Sequence, residues 1–241
     1  MTVQAKPAKL GRLGTQFRGK LADAYGQRGG YDSNLWYVYS PRTACDWVLK
    51  SDLEWDHFVL AEADPTIKDI DYSPAPLRER LDDGRIYETT LDATIVHTDD
   101  SIEWREIKYA EASNKKEETR NRLQQEAQSK AAQRAGVAYT RWTEHEIRSN
   151  FQKLANWRRI IVWLAATRER SLAAYQTDIA CLLDRRHVVT LGEIEDQWGE
   201  PAFPLYAAAL FRCLQQDSYL SDLDIKPLSR LTRISVPGEK I

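Results

Sequence analysis

The sequence predicts a mixed α/β fold, in which a small sheet is flanked by helices, followed by a smaller helical unit at the C-terminus. Two observations predict this architecture. Helical and strand-like periodicities alternate over residues 35–168, an order typical of a mixed sheet with helices packed against it. The length of 241 residues is enough for two cores, and we place them in residues 1–168 and 169–241.

The first elements are a hairpin and a short helix. Residues 35–49 alternate aromatic and β-branched side chains around a Ser-Pro turn signal, which predicts two short strands. The apolar residues then change to a helical spacing, with Ser51 or Asp52 as the N-cap and Pro65 beyond the end. Glu54 is therefore expected near the start of a helix.

Three strand-like segments follow, and the last two form a predicted hairpin. The segments are residues 67–76, 85–97 and 101–110. A charged, helix-favouring stretch over residues 112–135 ends at Gly136, which we interpret as its C-cap. A strand at residues 137–142 and a helix opened by the capping box of Thr143 and Glu146 complete the sheet and its helices.

The C-terminal segment carries three helical stretches and then an alternating one. The helices are predicted at residues 172–183, 191–198 and 205–214. Residues 218–236 alternate like a two-stranded wing. Three helices and a wing predict a winged helix-turn-helix unit.

Composition excludes several classes of protein. A net charge of −2 argues against a protein that coats nucleic acid nonspecifically, and no segment approaches the roughly 20 apolar residues of a membrane span. The N-terminus lacks the apolar stretch of a secretory signal, so we expect an intracellular protein. Cys45, Cys181 and Cys213 are scattered, which argues against a disulfide framework and a zinc site.

Residues 1–30 form a basic segment. Six cations stand against one anion there, a net charge of +5, with several glycines between them. A basic arm of this kind suits the phosphate backbone of DNA, and a solubilising tail is the alternative. The predicted DNA-binding residues are Lys6, Lys9, Arg12, Arg18, Lys20 and Arg28.

Acidic and basic side chains are expected to converge at the predicted hairpin. Asp92 lies in the middle of the strand predicted over residues 85–97, where a carboxylate among apolar neighbours is costly. Glu106 and Lys108 on the next strand share one face, because strand side chains alternate with a period of two. Glu54 approaches from the preceding helix.

Carboxylates in this arrangement suit a hard cation such as Mg²⁺, which binds through carboxylates and substrate phosphate. Mn²⁺ is expected to substitute for it. We expect Glu54, Asp92 and Glu106 as ligands, with the main-chain carbonyl of Ile107 as a further one. One or two such ions would activate water for phosphodiester hydrolysis, while Lys108 orients the water and offsets phosphate charge. The alternative is an ordinary ion pair between Glu106 and Lys108, with Asp92 merely solvated.

Four motifs resemble the TnsA family of transposon-end endonucleases. The first is SDLEWDHFVLAEADPTIKDI (residues 51–70), which is similar to the family's Ser-x-Leu-Glu helix and the strand after it. TTLDATIV (89–96) resembles the strand that bears the family's aspartate, and REIKYA (105–110) its (Gln/Glu)-x-Lys strand. RWTEHEI (141–147) resembles a Phe-Thr-x-x-Glu-Ile stretch. Leu91-Asp92-Ala93 departs from the Pro-Asp-Phe that the family often has.

The resemblance implies a restriction-endonuclease-like fold, with Glu54, Asp92 and Lys108 catalytic and Glu106 at the family's variable metal position. It implies a bacterial, cytoplasmic enzyme that cuts the 5′ strands at transposon ends as one subunit of a heteromeric transposase. The implied partners are double-stranded transposon-end DNA, a TnsB-like DDE recombinase and a TnsC-like ATPase regulator. Family members engage that regulator through the C-terminal domain, which predicts that residues 169–241 bind protein.

Two other functions are compatible with the same residues. The first is a free-standing restriction-type or junction-resolving nuclease, which would need no partner. The second is a catalytically silent scaffold that binds DNA or the regulator without cutting. The presence of all four of Glu54, Asp92, Glu106 and Lys108 favours an enzyme.

Overall fold

The structure, a computed structural model, describes residues 34–239 of the chain. It opens with an antiparallel hairpin of β1 (Trp36–Ser40) and β2 (Cys45–Leu49), followed by helix α1 (Asp52–Ala63). The hydroxyl of Ser51 accepts a hydrogen bond from the backbone N–H of Glu54, which confirms Ser51 as the N-cap. At the other end the Arg42 guanidinium donates to the carbonyl groups of Ala61, Glu62 and the C-cap residue Asp64.

A central four-stranded sheet lies next to this helix. The strands that follow α1 are β3 (Ile67–Asp71), β4 (Leu77–Arg80), β5 (Ile86–Thr89), β6 (Ala93–His97) and β7 (Ile102–Ile107). Helix α2 (Lys115–Ala135) then leads to β8 (Ala138–Trp142). The sheet order is β3-β6-β7-β8, antiparallel except for the β7–β8 pair, which is parallel because α2 crosses between its strands. The mixed α/β class predicted from the sequence is confirmed.

One predicted strand is wrong. Residues 85–97 do not form a continuous strand, because β5 pairs with β4 in a separate two-stranded sheet and the chain bends before β6. Asp92 therefore directly precedes β6, and it does not lie in the middle of a strand as predicted. Its backbone N–H still donates to the carbonyl of Arg105 on β7, at 3.2 Å. Asp92 is thus fixed at the point where the sheet begins.

The predicted helix ends are confirmed where they rest on local signals. Gly136 adopts a left-handed conformation (φ 69°) and caps α2. Thr143 and Glu146 form the capping box of α3 (Glu144–Ile147). The long helix α4 (Phe151–Ala166) follows, with Asn150 as its N-cap.

The C-terminal part combines helices with a small antiparallel sheet. In chain order its elements are α5 (Ala173–Arg186), β9 (Val188–Thr190), α6 (Leu191–Trp198), α7 (Phe203–Gln215), β10 (Leu220–Ser221) and β11 (Arg233–Ser235). The strand order is β10-β11-β9, so β9 adds a strand that the sequence analysis did not predict. Helix α7 is buried along most of its length.

A single hydrophobic cluster runs across residue 168. Phe58 and Ile160 from the first part of the chain belong to the same cluster as Leu183 and Phe211 from the second. The two parts also meet at a buried carboxyl group, because Glu62 accepts hydrogen bonds from Ser40 and from Gln215 on α7. No helix within residues 34–239 is long and apolar enough to cross a membrane.

Candidate active site

Helix α1 brings Glu54 to the site through its first turn. The two carboxylate oxygens of Glu54 accept hydrogen bonds from the backbone N–H of Lys50 at 2.8 Å and from the Ser51 hydroxyl at 3.2 Å. Leu53 is buried against Ile107 and Ile147, which fixes the rotation of the helix about its axis. The sequence of this turn therefore both caps the helix and directs the carboxylate.

Asp92 is held from the neighbouring strand. Its Oδ2 accepts a 2.7 Å hydrogen bond from the backbone N–H of Ile107, the residue that ends β7. Within residues 34–239 no donor contacts the other oxygen, Oδ1. One oxygen of Asp92 is thus anchored to the sheet, and the other is available to a ligand.

Glu106 and Lys108 meet on one side of β7, as their spacing predicts. The Lys108 ammonium lies 3.1 Å from Oε1 of Glu106 and 2.8 Å from the side-chain oxygen of Gln124 on α2. The Gln124 amide nitrogen donates in turn to Glu106 Oε1 at 2.8 Å. Glu106 is buried, whereas Lys108 is partly exposed just beyond the end of the strand.

Gln128 is a site residue that the sequence analysis missed. It is fully buried, and its amide nitrogen lies 2.8 Å from Glu106 Oε2 and 3.2 Å from the Thr90 carbonyl. Its oxygen accepts a 2.9 Å hydrogen bond from the Tyr139 hydroxyl on β8. Gln128 therefore holds both the buried carboxylate and the bend that precedes Asp92. A helical face with Gln124 and Gln128 four residues apart beside alanines was the available signal.

The three carboxylates influence one another electrostatically. Burial raises the pKa of Asp92 well above its ordinary value, and the charges of Glu106 and then Glu54 raise it further. Burial also raises the pKa of Glu54, and the charge of Glu106 adds to it. The cluster is thus short of positive charge, because the Lys108 ammonium is its one directly bonded cation within residues 34–239.

The side chains of the site offer the type of ligand atom that a hard divalent cation binds. Glu54, Asp92 and Glu106 offer oxygen donors only, which Mg²⁺ prefers, and they repel one another until a cation offsets their charge. As they stand, no three Asp, Glu, His or Cys side chains within residues 34–239 are close enough together to hold a metal ion. Both oxygens of Glu106 are bonded to Gln124 or Gln128. Metal binding would therefore require these side chains to move closer together and Glu106 to give up a hydrogen bond.

Two further predictions concern Ile107 as a metal ligand and six DNA-binding residues near the N-terminus. Ile107 lies at the site and contributes its N–H to Asp92, while its carbonyl as a metal ligand stays a prediction. The six predicted DNA-binding residues lie outside the described part of the chain. They are Lys6, Lys9, Arg12, Arg18, Lys20 and Arg28.

Comparison with known proteins adds no assignment. The chain matches no protein-family model, and no curated protein matches it significantly. The chemistry of the site must therefore be argued from its own residues.

Proposed function

We propose that this protein is a Mg²⁺-dependent DNA endonuclease. The observation that supports it best is the electrostatic coupling of three carboxylates, Glu54 in α1, Asp92 before β6 and Glu106 in β7. The charges of Glu106 and Glu54 raise the pKa of Asp92, and the charge of Glu106 raises the pKa of Glu54. A purely structural ion pair would need one carboxylate and one cation. Three carboxylates and a single lysine leave an excess of negative charge that a divalent cation would offset.

The bound cation would supply a polarised water and neutralise charge on the phosphodiester. Glu54, Asp92 and Glu106 would hold it, and Oδ1 of Asp92 is the oxygen to which no donor within residues 34–239 is bonded. The Lys108 ammonium, positioned by Glu106 and Gln124, would orient the attacking water and offset phosphate charge. In this reaction the water oxygen would bond to phosphorus as the bond to the 3′ oxygen breaks, and a proton from the water would pass to that oxygen, which leaves a 5′ phosphate and a 3′ hydroxyl.

The proposed biological setting is the cutting of 5′ strands at transposon ends by a heteromeric transposase. The resemblance of the motifs around Glu54, Asp92 and Lys108 to the TnsA family supports this setting. A TnsB-like recombinase and a TnsC-like ATPase regulator are then the proposed partners. Within residues 169–239, the burial of α7 leaves little of that helix to enter a DNA groove, and Ile225 and Leu231 are exposed, both of which favour a protein partner for this part.

The test is a strand-specific cleavage assay on end-labelled transposon-end DNA with Mg²⁺, with and without the candidate recombinase. We expect cleavage of the 5′ strands that depends on the recombinase and is lost in Asp92→Asn and Lys108→Ala. Asp100→Asn and Lys115→Ala are matched controls, because both residues are exposed and contact no site residue.

The outcomes separate the proposed function from its alternatives. Cleavage without any partner would favour a free-standing nuclease. Binding of DNA or regulator without cleavage under either condition would favour a silent scaffold. Full cleavage by a folded Asp92→Asn protein would reject the site itself.

A further inference from the structure

The cations of α2 differ between the two halves of the helix. In the C-terminal half, Lys130 lies 2.5 Å from Asp82, and Arg134 lies 2.6 Å from Glu79, so the charges are paired with the β4–β5 region. The N-terminal half carries four exposed cations, and no carboxylate within residues 34–239 lies within ion-pairing distance of any of them. The four are Lys115, Lys116, Arg120 and Arg122.

Two of these four cations continue a row that begins in the site. Lys116, Arg120, Gln124 and Gln128 are each four residues apart, so they follow one another along one side of the helix. Gln124 and Gln128 contact Glu106 at the inner end of the row. At about 1.5 Å per residue, Arg120 lies about 6 Å and Lys116 about 12 Å farther along the axis than Gln124.

The other two cations point elsewhere. At about 100° per residue, Lys115 and Arg122 are each turned by about 160–180° from Gln124, onto the opposite face of the helix. The N-terminal half of α2 therefore carries two pairs of exposed cations. By the same geometry Arg120 and Lys116 are turned by only about 40° and 80° from Gln124, so this pair lies nearer the side of the helix that contacts the site. This difference provides a matched internal control.

A polyanionic substrate needs positive charge close to this site. The carboxylates of Glu54, Asp92 and Glu106 repel phosphate groups, and Lys108 is already bonded to Glu106. The neighbouring phosphates of a bound phosphodiester would lie outside the carboxylate cluster. Arg120 and Lys116 are exposed about 6 Å and 12 Å beyond Gln124 along the helix, so they offer positive charge for such phosphates. Long basic side chains without carboxylate partners can bind phosphates without first breaking an ion pair.

We propose that Lys116 and Arg120 bind successive phosphates of the DNA strand that is cut, next to the phosphodiester held at Asp92 and Glu106. The inference rests on the proposed endonuclease function and adds the surface that positions its substrate. Lys115 and Arg122 take no part in this contact.

The experiment measures duplex DNA binding over a series of salt concentrations at fixed Mg²⁺, in an Asp92→Asn background that does not cut. Lys116→Gln/Arg120→Gln is compared with Lys115→Gln/Arg122→Gln, which removes the same charge. Because each phosphate contact contributes about 0.9 to the slope of log K against log salt, we expect the row variant to lose about 1.8 from that slope. The opposite-face variant should keep the slope of the parent protein.

Each outcome decides between the two faces. A loss confined to the row variant supports the inference. Equal losses in both variants, or a loss confined to Lys115 and Arg122, would overturn it. If the wild-type protein cuts DNA and the row variant binds with an unchanged slope, the inference fails while the endonuclease function stands. If the wild-type protein neither binds nor cuts DNA, both fail together.

Discussion

The amide nitrogen of Gln128 lies 2.8 Å from Oε2 of Glu106, so a buried, uncharged side chain orients one of the three carboxylates of the site. The same amide holds the Thr90 carbonyl, two residues before Asp92, and its oxygen accepts from Tyr139. Gln128 thereby links the two carboxylates of the sheet to the helix that crosses it.

Replacing Gln128 with Leu should impair both stability and cleavage. The substitution leaves the buried Oε2 of Glu106 and the Tyr139 hydroxyl without the partner that Gln128 supplies, which costs about 1–3 kcal/mol of unfolding free energy. Cleavage should fall mainly through kcat, because Glu106 is misoriented while the DNA-binding surface is intact. Chemical denaturation and steady-state kinetics measure the two effects. Gln125→Leu, on an exposed position of the same helix, is the control, and equal effects of the two substitutions would contradict the role of Gln128.

Addition of Mg²⁺ or Mn²⁺ should raise the melting temperature of the protein. A ligand that binds only the folded state stabilises it, by about 2.7 kcal/mol at a hundredfold excess over the Kd. Asp92→Asn should lose most of this increase, because it removes the carboxylate with the free oxygen. Differential scanning fluorimetry with each metal tests this without relying on activity. An undiminished increase in Asp92→Asn, equal to that of Asp100→Asn, would mean that the cation binds elsewhere.

His57 should make a destabilising contribution below about pH 6.5, opposite in sign to that of Glu54 and Asp92, whose raised pKa lets the folded protein bind protons first as pH falls. Burial and the Arg105 guanidinium, 3.2 Å from Nε2, lower the pKa of His57 from 6.5 to about 3. The ring is therefore neutral, with Nε2 facing a donor-only guanidinium and Nδ1 next to the Tyr72 hydroxyl. As pH falls, the unfolded chain binds a proton that the folded protein does not, which lowers the unfolding free energy by up to about 1.4 kcal/mol per pH unit.

Between pH 6.5 and 4.5 the unfolding free energy of the wild-type protein should therefore fall relative to that of the variant His57→Gln. Below that window Glu103, the other charged group near His57, contributes as well. Burial alone would raise its pKa, but hydrogen bonds from Arg105 and Thr140 outweigh burial and lower it to about 2. Urea denaturation across this pH range tests the prediction, with the exposed His145→Gln as control. If His57→Gln keeps the wild-type slope, another group must be responsible.

A fragment that ends at Arg168 should not fold cooperatively. It would lose Gln215, which binds the buried Glu62, together with Phe203 and Phe211, whose rings contact Trp163 edge-on. Loss of the hydrogen bond from Gln215 to the buried Glu62 carboxyl group costs about 1–3 kcal/mol, and exposure of the apolar surface around Trp163 adds to this cost. Together they are a large share of the stability of a single domain. Circular dichroism melting of the fragment measures this. A sharp transition at the temperature of the full chain would show two independent domains, as the sequence analysis expects.

The sequence predicts those parts of the fold that rest on local chemistry. Ser51, Gly136 and the pair Thr143 and Glu146 are cap residues whose preference depends on the nearest turn of backbone, and each is found where expected. The shared side of Glu106 and Lys108 follows from the alternation of strand side chains in the same way.

The remainder depends on contacts between distant segments. Whether residues 85–97 form one strand or two is decided by β4, which pairs with β5 and draws it out of the central sheet. Gln128 and Gln125 are identical residues one helical turn apart. The packing of α2 against β4, β5 and β8 buries Gln128 and leaves Gln125 exposed. A single sequence carries no direct record of such pairings.

Helix α1 has one further consequence. Glu54 in its first turn belongs to the acidic cluster, and Glu62 in its last turn is bound by Gln215 of α7. The two are eight residues, or about 12 Å, apart on one unbroken helix without a glycine or proline between them. The helix is thus a rigid connection between the C-terminal part and the acidic cluster, so a displacement of α7 would also displace the Glu54 carboxylate.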